Sequence, residues 1–269
     1  MADPTSWPVV SKAKAAQWRK LRTQKGRKQS GQLVIEGVRL VSEALRSGCQ
    51  IDALLAMNRQ YGLEAAGRAL ASMPSWTGIA YRVPEREFGQ MIDTTHSSGV
   101  AAVITWVPPG WEKIGEARAE RVLFCDRMAD PGNLGTLIRT AAGIGLDAIV
   151  TGPDSVEITN PKTMRASAGA VFRIPVIRVE RIGDYVHWAR ERSHAVYLAL
   201  VHRGEQVPAE GVRKPWTLVI GGEVGMIDLA WSEAKPRYVS LPMKHGVESF
   251  NAAIAGAILM DRFCRTPAG

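Results

Sequence analysis

Three short segments, in fixed order in the second half of the chain, constrain its architecture most. They are Asp126–Ala142 (DRMADPGNLGTLIRTAA), Leu218–Gly225 (LVIGGEVG) and Leu241–Ala253 (LPMKHGVESFNAA). Each follows an apolar run that reads as a strand, and each is dense in Gly, Pro, Asn, Ser and Glu. Loops that leave the ends of buried strands are where α/β folds place their chemistry. Three such loops in one stretch point to one composite site.

The patterning around them predicts two α/β domains. A basic helix is expected over 11–30, running into a loop at Lys25–Gly31. Strands follow at Leu33–Ile35, Ile51–Met57, Ala80–Val83 and Val100–Trp106, with helices over Val38–Ser47, Leu63–Ala71 and Glu85–Ile92. Val107-Pro108-Pro109-Gly110-Trp111 can continue neither helix nor strand, and residues 107–120 are polar and charged. The expected division is therefore a small domain over 1–106, a linker over 107–120 and a second domain over 121–269. There, strands are expected at Val122–Cys125, Ala148–Val150, Val176–Arg178, Val196–Leu200, Thr217–Ile220 and Tyr238–Leu241. Helices are expected over Leu134–Gly143 and Ser249–Cys264. Strands alternating with helices argue a mostly parallel, doubly wound sheet, so the fold class is α/β.

Composition narrows the function. Hydrophobic residues make up 46% of the 269, enough for sizeable cores. No apolar run reaches the ~18 residues of a membrane span, and the N-terminus lacks the pattern of a signal peptide. Cys49, Cys125 and Cys264 are odd in number and far apart, which suits a reducing cytoplasm better than a disulfide framework or metal cluster. The net charge of +8 favours an anionic partner. Lys12, Lys14, Arg19, Lys20, Arg22, Lys25, Arg27 and Lys28 lie in one stretch without an acidic residue between them. Such a stretch is either a solvated arm or an RNA contact, and the basic chain around it favours RNA. The Gly-rich dinucleotide fingerprint, the P-loop, HExxH and the GxSxG elbow are all missing, and His96, His187, His194, His202 and His245 show no metal-ligand spacing. No metal is expected.

Within the three loops each polar residue has a plain reading and a functional one. Asn133 sits at a helix start and is either its cap or a site residue. Arg139 lies among apolar neighbours, either salt-bridged or aimed at phosphate or ribose oxygens. Gly221-Gly222 directly after a strand lets a ligand or another segment approach the backbone. Glu223 is a surface carboxylate or a site residue, Ser249 a helix cap or a site residue. Asn251, in the first turn of the last helix, is mildly unfavourable there, which favours a binding role.

Taken together, three sets of residues resemble the three motifs of the SpoU/TrmH family: Asp130-Pro131, Asn133, Gly135 and Arg139; Gly221-Gly222-Glu223 and Gly225; Pro242-Met243, Glu248-Ser249 and Asn251. Members are S-adenosyl-L-methionine (SAM)-dependent RNA 2′-O-ribose methyltransferases of the SPOUT superfamily. Asn160-Pro161-Lys162, Arg165-Ala166-Ser167 and Gly169 also resemble a family segment, and the likeness spans about residues 120–264. Leu33–Leu40 (LVIEGVRL), with Arg39, resembles the small RNA-binding domain of many members, itself similar to ribosomal proteins. That domain is found especially in rRNA enzymes, including the thiostrepton-resistance type.

The resemblance implies a trefoil knot in the C-terminal domain, a homodimer, and SAM held by the knot loops. SAM would meet Gly221, Gly222, Gly225, Leu241 and Phe250, with Leu200, Met226, Met243 and Ala252 nearby. Arg139, Asn133, Glu223, Ser249 and Asn251 fall on the positions that matter for activity, and Arg39 and Arg165 join the basic stretch as RNA contacts. Phe250 stands where Leu is usual, and Gly246 comes one residue later than is common. The substrate implied is structured RNA, rRNA ahead of tRNA. Rival readings are an inactive RNA-binding protein on the same fold and an enzyme methylating a base nitrogen.

Overall fold

A computed structural model of the chain describes residues 3–94, 96–116, 119–201, 204–207, 212, 214–221, 228–245 and 247–265. The helices in chain order are α1 (Lys12–Arg19), α2 (Gln24–Ser30), α3 (Val38–Arg46), α4 (Gln60–Leu70), α5 (Glu85–Met91), α6 (Glu112–Glu116), α7 (Pro131–Ile144), α8 (Pro161–Ala166), α9 (Ile182–Glu191) and α10 (Ala252–Cys264). The strands are β1 (Gln32–Glu36), β2 (Gln50–Met57), β3 (Ala80–Val83), β4 (Val100–Thr105), β5 (Arg121–Asp126), β6 (Ala148–Thr151), β7 (Val176–Arg178), β8 (Ala195–Ala199), β9 (Trp216–Gly221) and β10 (Arg237–Val239). By their contacts they form two compact units, one of residues 1–107 with 159–173, the other of residues 108–158 with 174–269.

The first unit is built on a four-stranded sheet in the order β1-β4-β2-β3. It is mixed: β4 runs antiparallel to β1 and β2, while β2 and β3 are parallel. The two-residue period of a strand sends Leu55, Met57, Ala101 and Val103 to one face, where Trp18 of α1 and Phe88 and Met91 of α5 pack. Leu54, Ala56, Ala102 and Ile104 are buried on the other face, beneath α3 and α4. The loop expected at Lys25–Gly31 is instead the helix α2. Thr23 caps it, its Oγ1 accepting from Gly26 N at 3.1 Å, and Gly31 ends it at φ +67°. Its all-polar sequence carries no apolar stripe to reveal it. Residues 159–173, which chain order groups with the second part, pack in this first unit. Arg173 pairs with Glu43, and Phe172 meets Trp106 edge-on at 5.5 Å.

The second unit is a six-stranded sheet in the order β10-β8-β9-β5-β6-β7, with every adjacent pair parallel. The chain moves outward from β5 through β6 to β7, then returns to the other half, where β9 inserts between β8 and β5. Strand order turns at β5 and β9, and crevices for ligands open at the carboxyl ends of such neighbours. One face carries α9 and the short turn Leu229–Ala234, with Phe124, Tyr185, Trp188 and Trp231 as its aromatic core. On the other lie α7 and α10. A methyl at Gly256 of α10 would stand 2.5 Å from Leu137 Cδ2 and 3.5 Å from Ile220 Cγ1, so only glycine lets α10 lie this close.

Candidate active site

Two motif loops meet at the helix starts above the carboxyl ends of the strands. Asp130, not Asn133, caps α7: its Oδ1 accepts from Asn133 N at 2.7 Å, and Pro131 takes the first helical position. The Asn133 side chain is thereby left for another partner. Ser249 does not open the last helix either. Asn251 caps α10, its Oδ1 accepting from Ala253 N at 2.9 Å and Ile254 N at 3.3 Å. The remaining half of that amide, Nδ2, donates to Asn133 Oδ1 at 2.9 Å. One hydrogen bond thus ties two helix starts 118 residues apart.

The described SAM candidates follow the ends of strands or stand at the start of α10. Gly221 closes β9 and pairs in register with Asp126 at the end of β5. Leu200 follows β8, and its backbone N donates to Val239 O of β10 at 2.9 Å. Leu241, two residues past β10, is buried, Met243 is half-buried, and Ala252 opens α10. Phe250 is 39% exposed despite its size. Gly221 is exposed, and among the described residues a side chain there would meet nothing within 4 Å. Gly222, Glu223, Gly225 and Met226 lie outside the described residues.

Arg139 is exposed on α7, in one stripe with Thr136 and Gly143. Among the described residues it makes no hydrogen bond or ion pair, so its guanidinium is not a structural tie. Ser249 is likewise exposed and without a hydrogen bond among the described residues.

Sequence reasoning missed Asp126. It is 4% exposed at the end of β5, and burial holds its carboxyl above the ordinary carboxylate range. Trp231 Nε1 donates to its Oδ2 at 3.1 Å, and Arg127 Nε stands 3.5 Å from Oδ1 in ion-pair range. The signal was an acidic residue closing an otherwise apolar run. Its neighbour Cys125 is fully buried, its thiol pushed up to about 12 by burial, so it is no nucleophile at neutral pH.

The candidate RNA contacts fall in the first unit. Lys12, Lys14, Arg19, Lys20, Arg22, Lys25, Lys28 and Arg39 are exposed, and Arg165 on α8 is half-buried. Lys14 is engaged by Tyr81, its Nζ 4.7 Å from the ring centre. Arg27 is 6% exposed and its Nη1 donates to Leu21 O and Arg22 O, a tie within the fold. Among the described residues no cluster of His, Cys, Asp or Glu is arranged to hold a metal ion, and no helix is long and apolar enough to cross a membrane.

Known proteins match this arrangement over nearly the whole chain. Residues 12–102 match the MRM3-like substrate binding domain. A 23S rRNA (guanosine(2553)-2′-O)-methyltransferase of Bacillus subtilis, RlmP, is 34% identical over 250 residues, covering 92% of this chain and 94% of its own. A 23S rRNA (uridine(2479)-2′-O)-methyltransferase of Streptomyces viridochromogenes is 27% identical over 96% of this chain and 91% of its own. The fold is that of the SpoU methyltransferase AviRb from Streptomyces viridochromogenes, solved with AdoMet, with a TM-score of 0.79 at 23% identity over 94% of this chain and 98% of that one. Residues 120–261, which carry all three motif loops, match the model of the SpoU rRNA Methylase family; over more than half its length the chain answers to that family, and it belongs to it.

Proposed function

We propose that the protein transfers a methyl group from SAM to a ribose 2′-hydroxyl of ribosomal RNA. The observation that carries this is the Asn251–Asn133 hydrogen bond, which joins two family motifs, while Gly221 of the third closes β9 opposite Asp126 at the end of β5. The relatives point to the ribose: one is named for a guanosine and the other for a uridine, yet both for the 2′-oxygen. What they share is the sugar, not the base.

The donor set suits SAM. Leu200, Leu241, Met243, Phe250 and Ala252 offer an apolar lining, and Gly221, with Gly222, Gly225 and Met226 assigned by motif, offers backbone. When bound, SAM supplies a methyl group on a sulfonium, already a strong electrophile. The chain's task is then to hold the ribose in line and to stabilise charge on its oxygen. Arg139 donates to the 2′-oxygen as its proton leaves to a phosphate oxygen of the RNA; a guanidinium stays charged in proteins and so acts as stabiliser, not base. Asn133, held by Asn251, and Glu223 and Ser249, assigned by motif, position Arg139 and the ribose.

The finer organisation belongs to the same proposal. The N-terminal domain, 1–106, binds RNA in the manner of ribosomal proteins, 107–120 is the linker, and 121–269 is the methyltransferase domain, its C-terminal part passing through a trefoil knot. The exposed Val247, Phe250 and Ile254 around the start of α10 support a homodimer through this helix. The enzyme works in the cytoplasm, on rRNA ahead of tRNA. Incubation with methyl-labelled SAM and either total rRNA or total tRNA, followed by nucleoside analysis, tests this. Label in a 2′-O-methylnucleoside of rRNA is expected. Label in tRNA moves the substrate, label in a base moves the chemistry, and no label leaves an RNA-binding protein without activity.

A further inference from the structure

The first unit holds a cavity of about 490 Å³ that methyl transfer does not use. Its walls differ in chemistry. Leu21, Val34, Met91 and Ile92 give it an apolar side. Arg19, Arg22 and Arg165 stand at its rim, and Arg19 continues into a second hollow of about 340 Å³ lined by Lys12 and Arg86. Inside lies a carboxylate, Glu36, only 7% exposed. Thr94 Oγ1 donates to its Oε2 at 2.6 Å; among the described residues no cation pairs with it and its other oxygen has no hydrogen-bond partner. Its second oxygen is open to the cavity, where any donor that enters can reach it.

The rim is held by exposed ties: Arg19 Nη1 donates to Gln90 Oε1 at 2.8 Å and Arg22 Nη1 to Gln90 O at 3.4 Å. The Arg22–Asp93 pair spans 3.5 Å between side chains 45% and 59% exposed, an interaction too screened to hold against a phosphate. Arg165 makes no hydrogen bond or ion pair among the described residues. One ligand satisfies all these walls together: a flat apolar body, an N–H donor at its edge and an anionic group a few ångströms away. That is an unstacked nucleotide, the form in which single-stranded RNA is read base by base.

We propose that this cavity receives one unpaired RNA nucleotide whose base carries an exocyclic amino group. The amino N–H donates to Glu36, the ring lies on Met91 and Ile92, and Arg22 and Arg165 take the flanking phosphates. The groove through Arg19 to Lys12 and Arg86 carries the neighbouring backbone. This rests on the reading of the protein as an RNA-binding enzyme, but binding is measured without SAM, so the two fail separately.

The test is equilibrium binding of fluorescently labelled hexanucleotides to the full chain. Hexacytidylate and hexaadenylate are expected to bind about tenfold more tightly than hexauridylate, in the range of one good base contact. Dimethylating the cytosine N4 of hexacytidylate should cost it the same factor, and this arm needs no variant. Glu36→Gln, isosteric and checked by thermal melting and SAM binding, should abolish the preference. Arg22→Ala with Arg165→Ala should weaken all three oligomers alike and flatten the salt slope by about 1.4, at ~0.7 per phosphate contact. Equal affinity for the three oligomers, or a preference that survives both Glu36→Gln and dimethylation, overturns the proposal.

Discussion

The Asn251 side-chain amide is divided between two helices: its oxygen caps α10 and its nitrogen donates to Asn133 Oδ1 at 2.9 Å. The two halves can be separated by mutation. Asn251→Asp keeps a capping oxygen but loses the donor, and Asn133 must turn its own amide to find a partner. Melting close to the parent with methyl transfer reduced at least tenfold is expected. Asn251→Ala should also lose about 1 kcal/mol of stability with the cap. Full activity in Asn251→Asp would show the link to be structural only.

Arg139 is exposed and untied to the described residues, so removing it costs the fold little. Arg139→Ala should change stability by less than about 0.5 kcal/mol. It should leave SAM binding intact and lower the methyl-transfer rate by roughly a hundredfold or more, the usual loss when one charge-stabilising donor is removed. Single-turnover rates with RNA in excess decide.

The contact between α7 and α10 leaves no room for a methyl group at Gly256. Gly256→Ala should destabilise the chain by about 1–3 kcal/mol through overpacking against Leu137. Adding Leu137→Ala removes the obstructing atoms, so in denaturant melts the double variant should lose less than the sum of the single losses.

His194 sits on a buried polar knot, its Nδ1 3.1 Å from Thr217 Oγ1, which also meets Tyr185 Oη at 2.6 Å. Burial lowers its pKa below the ordinary histidine value of 6.5, with the charge of Arg192 adding to the shift and backbone hydrogen bonds to Trp216 and Ala119 and the charge of Asp147 opposing it. The unfolded chain therefore takes up a proton near pH 6.5 that the folded chain refuses. Its contribution is constant above that pH and turns against folding as pH falls from there toward the folded pKa. Denaturant unfolding between pH 7.5 and 5, compared with His194→Gln, should show a steeper loss of stability in the parent.

Much of this was legible in advance. The strands of both sheets were announced by apolar runs between turn residues, and the parallel sheet by their alternation with helices. The positions of Asn133 and Asn251 were visible too, but their roles as partners were not, because Asn133 also reads as a cap and Asn251 as a residue inside the first turn of a helix opened by Ser249. Asp130 and Asn251 take the caps, which follows from local geometry that spacing alone does not resolve. Asp126 and Glu36 escaped because a single acidic residue at the end of an apolar strand looks like its polar boundary. Only burial, at 4% and 7% exposure, separates them from ordinary surface carboxylates.

A fragment beginning at residue 107 should report on the segment 159–173. It lacks Trp106 and Glu43, the partners of Phe172 and Arg173. Trypsin is expected to cut it first at Lys162, Arg165 or Arg173, sites resistant in the full chain. Equal resistance in both would show that the segment holds its shape unaided.

That same segment sets a timetable for synthesis. A chain emerging from its N-terminus ordinarily folds its first domain before the next is made, at roughly 5–20 residues per second. Here the first unit is complete only when Arg173 arrives, after β5, α7 and β6 of the second have been translated. For several seconds the nascent sheet of the first unit must wait without α8, and the basic face it carries is exposed while RNA surrounds it on every side.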